Sequence, residues 1–181
     1  MESFDESKIV FRPAKVYFLE MKQAPDSVLL PFPGFSAELL MKPISISEYR
    51  SLYFGVGERW QWLDRMVMAD GNLADKLNLS NTDIYRASYS GETAGFAEFV
   101  VEDEHVEIQY FGLFPSFIGK GLGKYFLQWV IRQAWSYGKP KIQLNTCELD
   151  HPNALPVYRK GGFVEVRNSI EQRRVLMNEH I

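Results

Sequence analysis

The sequence holds a single cysteine, Cys147, among 181 residues. No internal disulfide can form, which suits a reducing compartment. Long apolar runs are missing as well: none approaches the ~20 residues needed to span a bilayer. The opening residues, Met1 to Glu6, lack the basic and apolar regions of a secretory signal. These absences lead to the expectation of a cytoplasmic protein with no membrane partner. There is no basic excess, since 20 Lys and Arg stand against 23 Asp and Glu for a net charge of −3. That balance argues against nucleic acid as the main partner. Repeats and low-complexity tracts are also absent. What is present is ordinary: 46% hydrophobic and 24% charged residues, at a length suited to one domain with a sizeable core.

Local patterns predict alternating strands and helices. Val16 to Met21 and Ala37 to Met41 read as strands, with a proline-rich loop between them. Ser45 and Glu48 form a capping box that opens a helix through Tyr53, with Gly55 as its stop. A second helical piece is predicted from Glu58 to Met68, and a short third helix near Leu73 to Leu77. Ile84 to Tyr89 and Thr93 to Val101 form a hairpin around Ser90-Gly91. Glu107 to Phe114 reads as a strand, ended by Pro115. Leu122, Phe126, Trp129 and Val130 share one face of a helix that runs to Tyr137. A strand over Ile142 to Cys147 follows, then a helix with Asn153 as N-cap and Pro156 in its first turn. Phe163 to Val166 and Arg173 to Met177 close the chain as a hairpin. The class is α/β or α+β with a mixed sheet.

Between the strand and the long helix lies Ile118-Gly119-Lys120-Gly121-Leu122-Gly123-Lys124. Glycines there could serve only a tight turn. They also leave backbone N–H groups uncovered at a helix start, where unpaired donors and a partial positive charge favour a bound anion. Lys120 and Lys124 add full charges. A dinucleotide fingerprint is excluded because Lys124 occupies the place of its last glycine. A P-loop is excluded because Ile118 and Tyr125 stand where it needs Gly and Ser or Thr.

The segment resembles the pyrophosphate loop of the GNAT superfamily of acyl-CoA N-acyltransferases, whose motif is Q/R-x-x-G-x-G/A. Gly121 and Gly123 match, while Ile118 departs from the usual Arg or Gln. A second stretch, His151 to Phe163, resembles that family's N-x-x-A-x-x-x-Y-x-x-x-G-F pattern at Ala154, Tyr158, Gly162 and Phe163. The resemblance covers about Ala37 to Met177, and its wording also looks like one bacterial branch of the superfamily. It implies a mostly antiparallel sheet flanked by helices and split between the fourth and fifth core strands. It also implies an N-terminal extension with one added strand (1–35) ahead of the acyltransferase domain (36–181).

The activity implied is direct acetyl transfer from acetyl-CoA to an amine, on a small molecule or a protein. The alternative is a non-catalytic acyl-CoA-binding module. Glu107 holds the position of the family's glutamate base, and a carboxylate would help an amine that is protonated at neutral pH. Tyr158 matches the acid that protonates the departing sulfur. Phe111 and Leu113 match the strand positions that meet the thioester. Gly112 suggests a bulge or a close backbone approach. The cofactor contacts implied are Phe111, Leu113, Ile118 to Lys124, and His151, which stands where Asn is common. His151 also has a plainer reading, as a hydrogen-bonding residue of the helix start. Tyr53, Trp60 and Trp62 lie where the family builds acceptor pockets. Cys147 reads as a buried inert thiol. No metal is assigned, and a homodimer is one assembly open to the chain.

Overall fold

The computed structural model describes residues 6–177. Its strands are β1 (Ile9–Met21), β2 (Phe35–Leu39), β3 (Thr82–Tyr89), β4 (Glu92–Val101), β5 (Val106–Leu113), β6 (Ile142–Cys147) and β7 (Val164–Leu176). Its helices are α1 (Ile46–Gly57), α2 (Asp70–Leu77), α3 (Leu122–Ser136) and α4 (Ala154–Lys160). The strands form one sheet in the order β2-β3-β4-β5-β6-β1-β7, antiparallel at every pairing except β5 with β6. This is the mixed, mostly antiparallel sheet flanked by helices that the sequence predicts.

The parallel pairing is short. It joins Val106 to Ile142, Glu107 to Gln143 and Ile108 to Leu144, and then stops although both strands run on. Counted from β2, these are the fourth and fifth strands in chain order, so the split falls where it was expected. Its physical cause lies one residue further along β5. Glu98 faces Tyr110 while the next residue, Phe99, faces Ile108, which leaves Gln109 as an extra residue. Such a bulge bends its strand and increases the local twist.

Two apolar cores hold the sheet. Leu122, Phe126, Leu127, Val130, Ile131 and Ala134 recur at helical spacing and bury one face of α3 against the sheet. On the opposite side, Tyr49, Leu52, Tyr53, Leu73, Leu77 and Phe96 pack α1 and α2. Ser45 caps α1 by accepting from the Glu48 N–H at 3.4 Å, as the capping box predicts.

Several local expectations are corrected. No terminal hairpin forms: β7 is one strand of 13 residues that pairs with β1 from Ile9–Leu176 to Glu20–Val164. β1 begins at Ile9 rather than Val16, so it offers a ladder long enough to keep the polar middle of β7 extended. It lies between β6 and β7, inside the sheet. Of the helical piece expected over Glu58 to Met68, only one 3-10 turn exists, Glu58–Trp60. Gln61 adopts φ 58°, and the chain folds back over Gly57, where an added Cβ would meet the Trp62 side chain at 2.3 Å. Gly55 does not stop α1, which continues to Gly57. The bulge in β5 sits at Gln109, and Gly112 is instead a close approach, its missing Cβ lying 2.3 Å from Val56 Cγ1. Among the described residues no helix is long and apolar enough to cross a membrane.

Candidate active site

A cavity of about 620 Å³ occupies the split in the sheet. Ile118, Gly123 and Lys124 line one part of it, and Tyr53, Trp60 and Trp62 another. Phe111, Gly112 and Leu113 of β5 form one wall, with Asn145, Asp150 and Tyr158 across from them.

The glycine turn has the backbone that its composition predicts. Gly119 has φ +85° and Gly121 φ +79°, and an added Cβ at either would meet nothing within 4 Å. Conformation therefore asks for glycine here, because side chains disfavour this left-handed region. Gly121 is the N-cap of α3, so the N–H groups of the first turn lack intrahelical acceptors. Gly123 differs: it is not in the left-handed region, and its Cβ would make an ordinary contact with Leu113 at 3.7 Å. The Leu122 side chain is buried in the core, which leaves only its backbone to face a ligand. Lys120 lies over the Phe117 ring at 5.5 Å.

The β5 edge beside the cavity is also bare. Phe114 donates its N–H to Ala94 O on β4 at 2.8 Å. In an antiparallel ladder successive residues alternate between facing the partner strand and facing away. Phe111 and Leu113 therefore direct their N–H and C=O groups away from β4, into the split where β6 no longer pairs.

Tyr158 is half-buried, with its ring against Phe111 and Phe163 at centroid distances of 6.4 and 6.2 Å. Its hydroxyl has no hydrogen-bond partner among the described residues. Burial, and then the Asp150 carboxylate, push the phenol well above its usual range, so it stays protonated and able to donate. Asp150 fastens this corner: one oxygen accepts from Trp62 Nε1 at 2.9 Å, the other from Thr146 Oγ1 at 2.7 Å and Cys147 N–H at 2.8 Å. Sequence reasoning missed Asp150. Its only signal was a carboxylate just past a strand end, in reach of open backbone donors.

Glu107 is not on this wall. It borders a separate shallow depression with Glu102, His105 and Gln109, and Gln109 also lines the main cavity. The Glu107 carboxylate accepts from Asn145 at 3.4 Å and lies 3.9 Å from His105. Burial pushes its carboxyl up to about 7. The structure thus brings Tyr158, the glycine turn and the three aromatic residues to one cavity, and sets Glu107 beside it.

His151 lines the same cavity; its Nδ1 accepts the Asn153 N–H at 3.0 Å, and its ring packs edge-on to Trp60 at 4.9 Å. Trp62 packs against Tyr53 and Tyr110 at 5.4 and 5.2 Å. Burial first, and the Asp150 charge second, raise the Cys147 thiol to about 11, which leaves it inert at neutral pH.

Residues 45–163 match the family model described as Acetyltransferase (GNAT) family. Among solved structures, a functionally unknown conserved protein from Staphylococcus epidermidis superposes with a TM-score of 0.61 and 16% identity, over 92% of this chain and 63% of its own. The GCN5-related N-acetyltransferase from Sphaerobacter thermophilus gives 0.61 and 16%, over 94% of this chain and 54% of its own. The chain therefore spans less than two thirds of the length of each of these two. A GNAT family acetyltransferase from Elizabethkingia anophelis, with acetyl-CoA bound, gives 0.55 and 17%, over 81% of this chain and all of its own. At these identities the likeness is one of fold. No curated protein matches the chain.

Proposed function

Because the chain belongs to the acetyltransferase (GNAT) family, we propose that it transfers an acetyl group from acetyl-CoA directly to the nitrogen of an amine. One observation carries the reading: a single cavity joins the glycine turn, the bare edge of β5 and the partnerless hydroxyl of Tyr158. The acyltransferase unit is residues 36–181, with β1 supplied by the preceding segment.

In this reading the N–H groups from Gly119 to Lys124 hold the diphosphate of acetyl-CoA, helped by the charge of Lys124. The Phe111 and Leu113 backbones align the pantetheine arm, and an N–H on that edge polarises the thioester carbonyl. The amine nitrogen bonds to the carbonyl carbon, the carbon–sulfur bond breaks, and Tyr158 gives its proton to the leaving sulfur. Glu107 takes the amine proton through water, by way of the rim formed by Gln109 and Asn145. Tyr158→Phe should lower turnover about a hundredfold or more with little change in acetyl-CoA affinity. Unchanged turnover would remove its role as acid.

Glu107 gives a second prediction. A buried carboxyl at about 7 rather than 4.5 favours the folded state while protonated. That contribution is complete below pH 4.5 and is lost as pH rises through 7. Glu107→Gln should therefore gain about 1–2 kcal/mol in urea unfolding at pH 8 and nothing at pH 4. If Glu107 is also the base, wild-type kcat/KM rises with pH through about 7, and the variant loses that limb.

The place of Glu107 off the cavity wall favours one other reading, a non-catalytic acyl-CoA-binding module. Calorimetry with acetyl-CoA, together with thiol release across a panel of amines, separates the two. Binding with turnover supports transfer, and binding without turnover on any amine supports the module.

A further inference from the structure

We propose that the acceptor is a small monoamine with a flat apolar body, and that polycations and polypeptide chains are poor acceptors; this rests on the acyl-transfer reading above. The first observation is a strap. Residues 58–69 leave α1 on the β5 side of the split and are fastened across it. Trp60 packs against His151 at 4.9 Å, and Trp62 bonds Asp150. Gln61 Oε1 accepts the Leu176 N–H at 2.8 Å, and Asp64 pairs with Arg174. On the near side, Arg50 donates to Met68 O at 2.6 Å and Arg65 O at 3.3 Å. The strap therefore reaches from one half of the sheet to the other over the aromatic end of the cavity. Extended peptides are recognised along open edges or grooves. A strapped cavity takes a molecule that enters whole.

The second observation concerns charge. Three carboxylates line the cavity: Asp64, Asp150 and Glu171. Asp64 pairs with Arg174, and Glu171 with Arg173 at 3.1 Å. Asp150 already accepts from Trp62, Thr146 and Cys147. These donors are neutral, so of the three carboxylates Asp150 is without a cationic partner and suits one ammonium group, while a second would meet only carboxylates already paired with arginine. A polyamine or an aminoglycoside would have to compete with Arg173 and Arg174, which line the same cavity, for Glu171 and Asp64; these pairs are half-exposed, so the penalty is modest for each extra ammonium group. Trp60, Trp62 and Tyr110, by contrast, offer ring surface on which a flat apolar body buries well. The Arg65 guanidinium stands over the Tyr110 ring at 5.4 Å and already uses that ring's attraction for cations.

The test measures thiol release from acetyl-CoA by the full chain with four acceptors: phenethylamine, spermidine, an aminoglycoside and a short peptide with a free amino terminus. Acetyl-CoA binding is measured separately by calorimetry. Phenethylamine should exceed each of the others by about tenfold or more in kcat/KM. Trp60→Ala should raise its KM about tenfold while acetyl-CoA affinity and melting temperature hold. The wild-type panel decides even where the variant is unstable. Preference for spermidine, the aminoglycoside or the peptide overturns the proposal, as does acetyl-CoA binding without phenethylamine turnover. Failure to bind acetyl-CoA overturns instead the reading of the cofactor site.

Discussion

Gly121→Glu should lose at least about a thousandfold in acetyl-CoA affinity while the protein remains folded. Two effects act together. Gly121 has φ +79°, and any side chain there costs about 1–2 kcal/mol of backbone strain. The carboxylate would also stand at the N-cap of α3, where the first-turn N–H groups should face a diphosphate. At ~4 Å and an effective dielectric of ~20, one pair of like charges repels by about 4 kcal/mol, close to a thousandfold in binding. Stability should fall by about that 1–2 kcal/mol of strain and no more, because a Cβ at this position meets nothing within 4 Å. Gly121→Ala separates the two terms, since it carries the strain without the charge. Calorimetry beside a thermal melt reads both. Affinity retained in a folded Glu variant would remove the cradle and the enzymology built on it.

Arg65→Met should cost about 3–5 kcal/mol in urea unfolding. Glu98 sits in the middle of β4 at 1% exposure, accepting from Arg65 at 2.8 Å and from the Tyr49 hydroxyl. Burial pushes its carboxyl upward and Arg65 pulls it back. Removing Arg65 leaves a buried carboxylate with one neutral partner, which must either stay charged without compensation or take up a proton. The double variant Arg65→Met with Glu98→Met should recover most of the loss, since apolar replacements of a buried pair are often neutral. The recovery is helped by Arg65 Nη1, which is buried and lacks a partner even in the parent. A single-variant cost under about 1 kcal/mol would mean that the pair behaves as a surface one.

What could be read from the residues alone follows from how local their chemistry is. The glycine turn was legible because a left-handed backbone has few occupants, and α3 because its buried face repeats at helical spacing. Residues 58–68 read as one helical piece, of which only the 3-10 turn Glu58–Trp60 forms. Their apolar spacing fits a helix, yet Gln61 turns left-handed and the segment is held by partners as distant as Asp150, Arg174 and Leu176. The surroundings of Glu107 were equally hidden. A single extra residue, Gln109, reverses which face the following side chains present, and no local pattern marks it. The Arg65–Glu98 pair joins a loop to a strand 33 residues away, so only the folded chain reveals it.

The position of β1 has a consequence for assembly. β6 and β7 do not touch as neighbours; each pairs with β1, and the β1–β7 ladder links Ile9 to Leu176. Contacts this remote in the chain form late and slow the search for the native state. The cavity corner that carries Phe18 and Arg173 is therefore finished only when the two ends of the molecule zip together, and acceptor selectivity should mature after the cofactor half is already in place.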